Sequence, residues 1–221
     1  MEAVSYSSEL SSEGAHLLSQ GASILGVELS QRQVQLFSLF YRELQRWSKA
    51  MNLTALKRER DVIIKHFLDS LTPLDLIPGS GPAADVGTGA GFPAIPLKIV
   101  QPELDLTLIE RSSKKCIFLE HIIRTLKLNK VRVECADVRK LESRQGYQAS
   151  FHIILSRATY SLAELAQACR PLLAAEGVIL AMKGPGLAKE LEELQRLDLD
   201  LQVQRVHKLN LPFTGDTRQI A

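Results

Sequence analysis

The chain has 221 residues, of which 45% are hydrophobic and 24% charged, and its net charge at pH 7 is +2. These values exclude disordered, collagen-like and membrane-protein compositions. No apolar run approaches the ~18 residues of a membrane-spanning helix, and the Ser-rich start carries Glu2, Glu9 and Glu13 where a signal peptide would be basic. We therefore expect a cytoplasmic protein without a membrane partner.

The first third of the chain predicts helices. Residues 1–30 are rich in Ser and Gly and indicate a leader with one short helix. Apolar residues then recur at helical spacing from Val34 to Trp47, and Val62–Leu71 can form a second amphipathic helix. We predict a helical N-terminal extension over residues 1–75.

From Pro82 onward, short apolar runs alternate with helical patterns. The predicted strands are Ala83–Val86, Leu104–Ile109, Val131–Cys135, Phe151–Leu155, Val178–Met182 and Leu201–Leu209, with the start of a last strand at Arg218–Ala221. The predicted helices are Pro93–Val100, Ser113–Leu126, Leu162–Arg170 and Leu187–Leu197. This alternation requires right-handed crossovers and a parallel sheet with helices on both faces. Residues 76–221 are thus predicted to form one α/β domain.

A glycine turn follows the first predicted strand. It reads Asp85-Val86-Gly87-Thr88-Gly89-Ala90-Gly91-Phe92-Pro93. Ligands of open parallel sheets bind at the carboxyl ends of strands, and glycine lets the backbone approach a ligand closely. A nicotinamide fingerprint would need its third glycine where Phe92 stands, and no Gly-Lys-Ser/Thr phosphate loop is present. The turn therefore predicts a ligand without a pyrophosphate.

Acidic residues end the next two predicted strands. Glu110 lies about twenty residues beyond the glycines, where an acid can bind both hydroxyls of a ribose. Asp137 ends the following strand, where a carboxylate or the main chain can bind an adenine edge. Acids at strand ends also serve as helix caps. Taken together with Asp85 and the glycines, these acids predict an adenosine ligand.

Basic residues are concentrated between Arg111 and Arg144, where ten Lys or Arg stand against four acids and give a local charge of +6. Such a segment is typical of a surface that binds a polyanion, and equally of a solvated face. The three cysteines, Cys116, Cys135 and Cys169, have the spacing of neither a disulfide framework nor a zinc site. We expect buried free thiols and no metal.

Several segments of the sequence together resemble the glucose-inhibited-division-B family, the guanine-N7 methyltransferases of 16S ribosomal RNA. The resemblance covers roughly residues 37–221 and depends on the glycine turn with the Ala94-Ile95-Pro96 that follows it, and on four other segments. These read Arg46-Trp47-Ser48-Lys49-Ala50-Met51-Asn52-Leu53-Thr54, Lys65-His66-Phe67-Leu68-Asp69-Ser70, Ser156-Arg157-Ala158 and Met182-Lys183-Gly184. It implies a Rossmann-like class I methyltransferase fold with a mostly parallel seven-stranded sheet, and S-adenosyl-L-methionine as methyl donor.

The resemblance also implies roles for individual residues. Those expected around the donor are Gly87, Phe92, Val138, Arg139 and Arg157, with Glu110 on the ribose; Asp85, Gly89, Gly91 and Asp137 complete the donor set read from the strand ends. Lys114, Arg157, Lys183 and Arg218 are implied in donor or RNA contact, and we add Lys115 to the RNA set. We assign Arg157 and Lys183 as catalytic. The implied partner is 16S ribosomal RNA or the small ribosomal subunit, bound by a monomer.

Other methylation chemistries leave different sequence patterns. Carbon-5 methylation of pyrimidines needs a thiolate beside the donor, and the three cysteines fall in predicted helices and a strand. Methylation of exocyclic amines usually goes with an Asn/Asp-Pro-Pro-aromatic turn, where this chain has Ser156-Arg157-Ala158-Thr159. Ribose 2′-O methylation stays open because Lys183 follows the fifth strand. A ribosome assembly factor that binds the donor without turnover and a small-molecule methyltransferase are further alternatives.

Individual polar residues also have structural explanations. His66 on a helix predicts packing or capping, and with Asp69 it can tie that helix to the glycine turn. Asn52 and Thr54 are equally consistent with a turn and a cap. Arg157 has fewer structural reasons, because it directly follows the fourth predicted strand and would project into the cleft.

Overall fold

The computed structural model describes residues 9–77, 81–157, 159–197 and 199–221. The part of the predicted leader before residue 9, and Ala158, lie outside this range. The N-terminal helices are α1 (Ser12–Ile24), α2 (Gln31–Met51), α3 (Glu59–Val62) and α4 (Asp69–Leu71), with a π-helical segment, Ile63–Leu68, between α3 and α4. A short 3₁₀ turn follows at Leu74–Leu76.

Helix α2 is longer than its apolar pattern predicts because both of its ends are capped. Ser30 and Gln33 form a reciprocal capping box at the start. Asn52 ends the helix in the left-handed conformation, with φ of 48°. These caps extend the helix by about one turn beyond Trp47.

Seven strands of the described residues form one sheet. They are β1 (Ala83–Val86), β2 (Leu106–Glu110), β3 (Val131–Cys135), β4 (Phe151–Arg157), β5 (Leu173–Lys183), β6 (His207–Asn210) and β7 (Thr217–Ile220). Their order is β3-β2-β1-β4-β5-β7-β6. The strands β1 to β5 are parallel, and β7 is antiparallel to both β5 and β6. The order reverses between β1 and β4, which is where open parallel sheets bind ligands.

Helices cover both faces of the sheet, as predicted. They are α5 (Ala94–Val100), α6 (Ser113–Leu126), α7 (Leu162–Cys169) and α8 (Leu187–Gln195). Alternate strand residues point to opposite faces. Ala83 and Ile153 therefore belong to the hydrophobic cluster that includes residues of α5 and α6, whereas Ala84 and Ile154 belong to the cluster that includes residues of α7 and α8.

The N-terminal helices share the first of these clusters. Phe37, Phe40, Phe67 and Leu68 are fully buried together with residues of β1, β2, α5 and α6. The extension thus packs directly on the sheet, and the division at residue 75 stays a prediction.

Three predictions need correction. Leu201–Leu209 is a strand only from His207, because Leu201 and Val206 pack against the α7 and α8 cluster instead of pairing with a neighbouring strand. Strand β5 begins at Leu173, before the predicted Val178, with a register shift opposite Phe151 and Ile153. Cys116 and Cys169 are buried free thiols, whereas Cys135 is exposed at the end of β3.

No helix in the described part of the chain is long and apolar enough to cross a bilayer. Within the same residues, no cluster of three or more His, Cys, Asp or Glu side chains is arranged to hold a metal ion.

Candidate active site

A cleft of about 490 Å³ lies at the carboxyl ends of β1, β2, β3 and β4. The predicted site residues that line it are Gly87, Gly89, Phe92, Glu110, Lys115, Val138, Arg139 and Arg157. Those absent from its lining are Asp85, Gly91, Lys114, Asp137, Lys183 and Arg218. The parallel strands end at one edge of the sheet, which explains why residues more than 60 positions apart meet here.

The glycine turn needs its glycines for different reasons. All three have positive φ, 71° at Gly87, 62° at Gly89 and 90° at Gly91. A Cβ at Gly87 would lie 2.6 Å from Thr159, and one at Gly91 would lie 2.5 Å from Ile95. A Cβ at Gly89 would meet only the Gly87 carbonyl oxygen, at 3.9 Å. Gly87 and Gly91 therefore allow close packing, whereas Gly89 leaves open space beside the cleft.

Asp85 stabilises the glycine turn through hydrogen bonds from a buried position. Its side chain is fully buried, and Oδ2 accepts hydrogen bonds from the Thr88 hydroxyl at 2.6 Å and from the Ala94 N–H at 3.2 Å. Its other oxygen, Oδ1, has no partner among the described residues. Burial raises the pKa of this carboxyl to about 6. Asp85 thus holds the loop to the start of α5.

Glu110 joins the end of β2 to the glycine turn. Its Oε2 accepts the N–H of Gly89 at 3.0 Å, and its Oε1 accepts the N–H of Ser112 at 2.8 Å. The side chain is mostly buried yet lines the cleft. A carboxylate is therefore held at the position predicted to bind a ribose.

The residues that follow β3 line the cleft on either side of Asp137, but Asp137 itself does not. Asp137 accepts hydrogen bonds from the Nε of Arg139 at 2.9 Å and from its Nη2 at 2.5 Å. These contacts lower the pKa of Asp137 to about 2. Ala136 and Val138 line the cleft on either side. The Asp137 carboxylate is thus bound to Arg139, and the residues before and after Asp137 line the cleft.

Arg157 is built into the wall of the cleft. Its side chain is 14% exposed, and its Nη1 donates to Asp69 Oδ2 at 3.1 Å and to the Lys65 carbonyl at 3.2 Å. Its Nη2 contacts Nδ1 of His66 at 3.1 Å. The guanidinium carbon lies 5.1 Å from the centre of the Phe92 ring. Contrary to expectation, Arg157 has several structural partners as well as a place at the cleft.

His66 is a cleft residue that sequence reasoning assigned to packing. It lies on the π-helical segment, a form common at functional sites. Its ring stacks on Phe92 with centroids 4.5 Å apart and planes inclined by 14°. His66 thus ties this helix to the glycine turn as predicted, whereas Asp69 binds Arg157 and Arg218 instead. The helical extension thus supplies one wall of the cleft.

Sequence reasoning left other lining residues unassigned. They include Leu53, Thr88, Thr159, Tyr160 and Glu164. Thr159 and Tyr160 come shortly after β4, so their position after a strand could have identified them as cleft residues. Arg111, which also lines the cleft, directly follows Glu110 at the end of β2.

Lys183 and the proposed RNA-contact residues differ in their surroundings. The Lys183 ammonium donates to Glu190 at 2.7 Å and to the Tyr160 carbonyl. Arg218 donates through Nε to Asp69 Oδ1 at 2.7 Å, so one carboxylate binds both Arg218 and Arg157.

The two lysines of α6 that are predicted to contact RNA have no such partner in the described part of the chain. Lys114 is exposed on α6. Among the described residues, neither Lys114 nor Lys115 takes part in an ion pair.

The sequence matches one family model and many curated proteins. The model of GidB, described as rRNA small subunit methyltransferase G, matches residues 33–221. A Geobacter sulfurreducens protein named Ribosomal RNA small subunit methyltransferase G is 36% identical over 213 residues, 96% of this chain and 97% of the relative. A protein of the same name from Geobacter sp. strain M21 is 38% identical over 206 residues, 92% and 94% of the two chains.

Solved structures share the fold at lower sequence identity. The crystal structure of a precorrin-6y C5,15-methyltransferase from Geobacter metallireducens superposes with a TM-score of 0.51 at 18% identity, covering 77% of this chain and 90% of the other. This likeness confirms the predicted Rossmann-like class I methyltransferase fold.

Proposed function

The chain belongs to the rRNA small subunit methyltransferase G family, and we propose that it transfers a methyl group from S-adenosyl-L-methionine to N7 of a guanine in 16S ribosomal RNA. The family match confirms the resemblance on which this activity depends. The observation that carries the proposal is the cleft in which the glycine turn, Glu110 and Arg157 meet at the strand ends.

The residues of the cleft fit this donor. A volume of about 490 Å³ is in the usual range of small-molecule sites. Gly89 leaves open space where any side chain would project, and Glu110 offers a carboxylate that can accept ribose hydroxyls. Ala136 and Val138 line the part of the cleft that follows β3, where we place the adenine. We assign donor binding to these residues together with Gly87, Phe92 and Arg157.

Methylation of guanine N7 does not require acid-base catalysis by the protein. When bound, the donor supplies a methyl group attached to a positively charged sulfur. Guanine N7 has an in-plane lone pair and no proton, so no residue of the chain has to act as a general base. Positioning by the chain can contribute on the order of 7–11 kcal/mol in favourable cases. The task of the cleft residues is therefore to orient the two substrates and to exclude water.

Basic residues at and beside the cleft support an RNA substrate. Arg111, Lys115 and Arg139 line it, and Lys114 is exposed on the same helix as Lys115. Phosphate binding by such residues supplies most of the nonspecific affinity for nucleic acid. We propose 16S ribosomal RNA or the small ribosomal subunit as partner, bound by a cytoplasmic monomer.

Transfer of a labelled methyl group tests this function directly. Incubation with methyl-tritiated donor should label 16S RNA or small subunits, and large-subunit RNA should stay unlabelled. Binding of donor without label transfer would support a non-catalytic assembly factor. Label on a ribose oxygen would support the 2′-O alternative, for which Lys183 would have to leave Glu190.

A further inference from the structure

The wall of the cleft contains a hydrogen-bonded chain that links the N-terminal extension to β4. Its members are the backbone N–H of Leu56, the hydroxyl of Thr54, the imidazole of His66 and the guanidinium of Arg157. Leu56 N–H donates to Thr54 Oγ1 at 3.1 Å, Thr54 Oγ1 lies 2.7 Å from His66 Nε2, and His66 Nδ1 lies 3.1 Å from Arg157 Nη2.

The chemistry of Arg157 fixes the direction of this chain. A guanidinium can only donate hydrogen bonds, so Nδ1 of His66 must be the acceptor. A neutral imidazole then carries its proton on Nε2 and donates it to Thr54 Oγ1. Burial, reinforced by the charge of Arg157, lowers the pKa of His66 to about 3, so the ring stays neutral at physiological pH.

Arg157 has two N–H groups left for a ligand. Asp69 and the Lys65 carbonyl occupy Nη1, and His66 occupies one position on Nη2. Within the described residues, Nε–H and the second Nη2 proton have no acceptor. Arg157 lines the cleft, so these are the donors that it can offer to an oxygen atom of the methyl donor or of the RNA.

We infer that His66 is a positioning residue for methyl transfer, which holds Arg157 through its Nδ1 acceptor so that the remaining guanidinium donors meet an oxygen of a bound substrate. The inference rests on the proposed function. A planar guanidinium held by His66, Asp69 and a carbonyl has little freedom to rotate, and Phe92 contacts both His66 and Arg157.

Two substitutions separate the two nitrogen atoms of His66. The amide of asparagine can place an oxygen near the position of Nδ1, so His66→Asn retains an acceptor for Arg157 and loses the contact with Thr54. The longer side chain of His66→Gln reaches toward Thr54 and lacks an acceptor at the Nδ1 position. Thr54→Val removes the hydroxyl that contacts His66 Nε2 and the Leu56 N–H while leaving His66 Nδ1 in place. His16→Gln, at an exposed site on α1, is the control.

The expected pattern distinguishes positioning from a general loss of packing. Loss of a hydrogen bond to a charged group should lower the single-turnover methylation rate of His66→Gln by about tenfold or more. His66→Asn should stay within about threefold of the wild type, since the acceptor is retained. If the ligand oxygen belongs to the methyl donor, calorimetry will show weaker donor binding by His66→Gln. If the oxygen belongs to RNA, donor affinity will be unchanged while the rate or the RNA KM changes.

A measurement independent of activity completes the test. Nitrogen-15 NMR of the Arg157 side chain should show slowly exchanging Nη protons in the wild type and in His66→Asn, and faster exchange in His66→Gln. Equal rates and equal exchange in the Asn and Gln variants would overturn the inference. A wild type that methylates no RNA but shows this exchange pattern would contradict the proposed function while leaving the hold of His66 on Arg157 intact.

Discussion

Glu110 accepts the backbone N–H of Gly89 at 3.0 Å, which fixes the end of β2 to the glycine turn. The contact places the carboxylate and the one glycine of the turn with open space beside it at the same point of the cleft. Two features that lie 21 residues apart in the sequence thus form a single binding surface.

Gly89→Val should abolish binding of S-adenosyl-L-methionine, because the new side chain would enter the space beside the cleft. Valine at φ of 62° is also strained, so a control with equal strain is needed. Gly26 has φ of 77°, and a Cβ at this position would have no neighbour within 4 Å, which makes Gly26→Val the matched variant. Calorimetry should find donor binding in Gly26→Val and none in Gly89→Val. Retained binding in both variants would remove Gly89 from the donor site.

Lys114→Glu should weaken RNA binding while leaving donor affinity unchanged, because Lys114 is exposed on α6 outside the cleft. The slope of log affinity against log salt should fall by about 1 for each lost phosphate contact. Lys208→Glu makes the same charge change on β6, at the opposite edge of the sheet from β3. Equal salt slopes for Lys114→Glu and Lys208→Glu would exclude Lys114 from the RNA interface.

Arg157→Lys should reduce single-turnover methylation by about tenfold or more with little change in melting temperature, because an ammonium can pair with Asp69 but cannot reproduce the planar fork. Arg157→Ala is a less informative change. Breaking a buried ion pair costs about 3–5 kcal/mol, although Arg218 would still pair with Asp69. A lysine variant with near-normal turnover would show that the fork is not needed.

His66 should make the stability of the protein depend on pH. In the unfolded chain its pKa is near 6.5, and in the folded protein burial and Arg157 lower it to about 3. The unfolded state therefore binds more protons between these values, so the free energy of unfolding falls as pH decreases through this window, by at most about 1.4 kcal/mol per pH unit. Above pH 6.5 the effect is absent.

The comparison of wild type with His66→Asn isolates this effect. Asp69 and Arg218 lie next to Arg157 in both proteins, and the raised pKa of Asp85 stabilises both proteins as pH decreases from about 6. These contributions cancel in the difference. Denaturant unfolding at pH 4, 5 and 7 should show the wild type losing stability relative to the variant below pH 6.5. A constant difference would contradict a neutral buried His66.

Much of the fold was predictable because it follows from local periodicity. The bounds of β1 and β3 were predicted to the residue, and α6 likewise. Leu201–Leu209 was misassigned because an apolar residue can be buried by packing as well as by strand pairing, and sequence periodicity does not separate the two.

The candidate site was predictable where strand ends determined it. Gly89, Glu110 and Val138 line the cleft because each lies at the end of a strand of the parallel sheet or within three residues after it. The position of His66 was not predictable in this way. It meets Arg157 across 91 residues of sequence, and a helical periodicity cannot tell which buried residue faces a cleft in the finished fold.

The atom that receives the methyl group is the most direct test of the proposed activity. Small ribosomal subunits lacking the modification would be incubated with donor and the wild-type protein, and their 16S RNA would then be cleaved by borohydride and aniline, which break the chain at N7-methylguanosine. We expect one new cleavage at a guanine, absent with Gly89→Val and present with Gly26→Val. Methyl label in 16S RNA without cleavage at a guanine would contradict N7 as the acceptor.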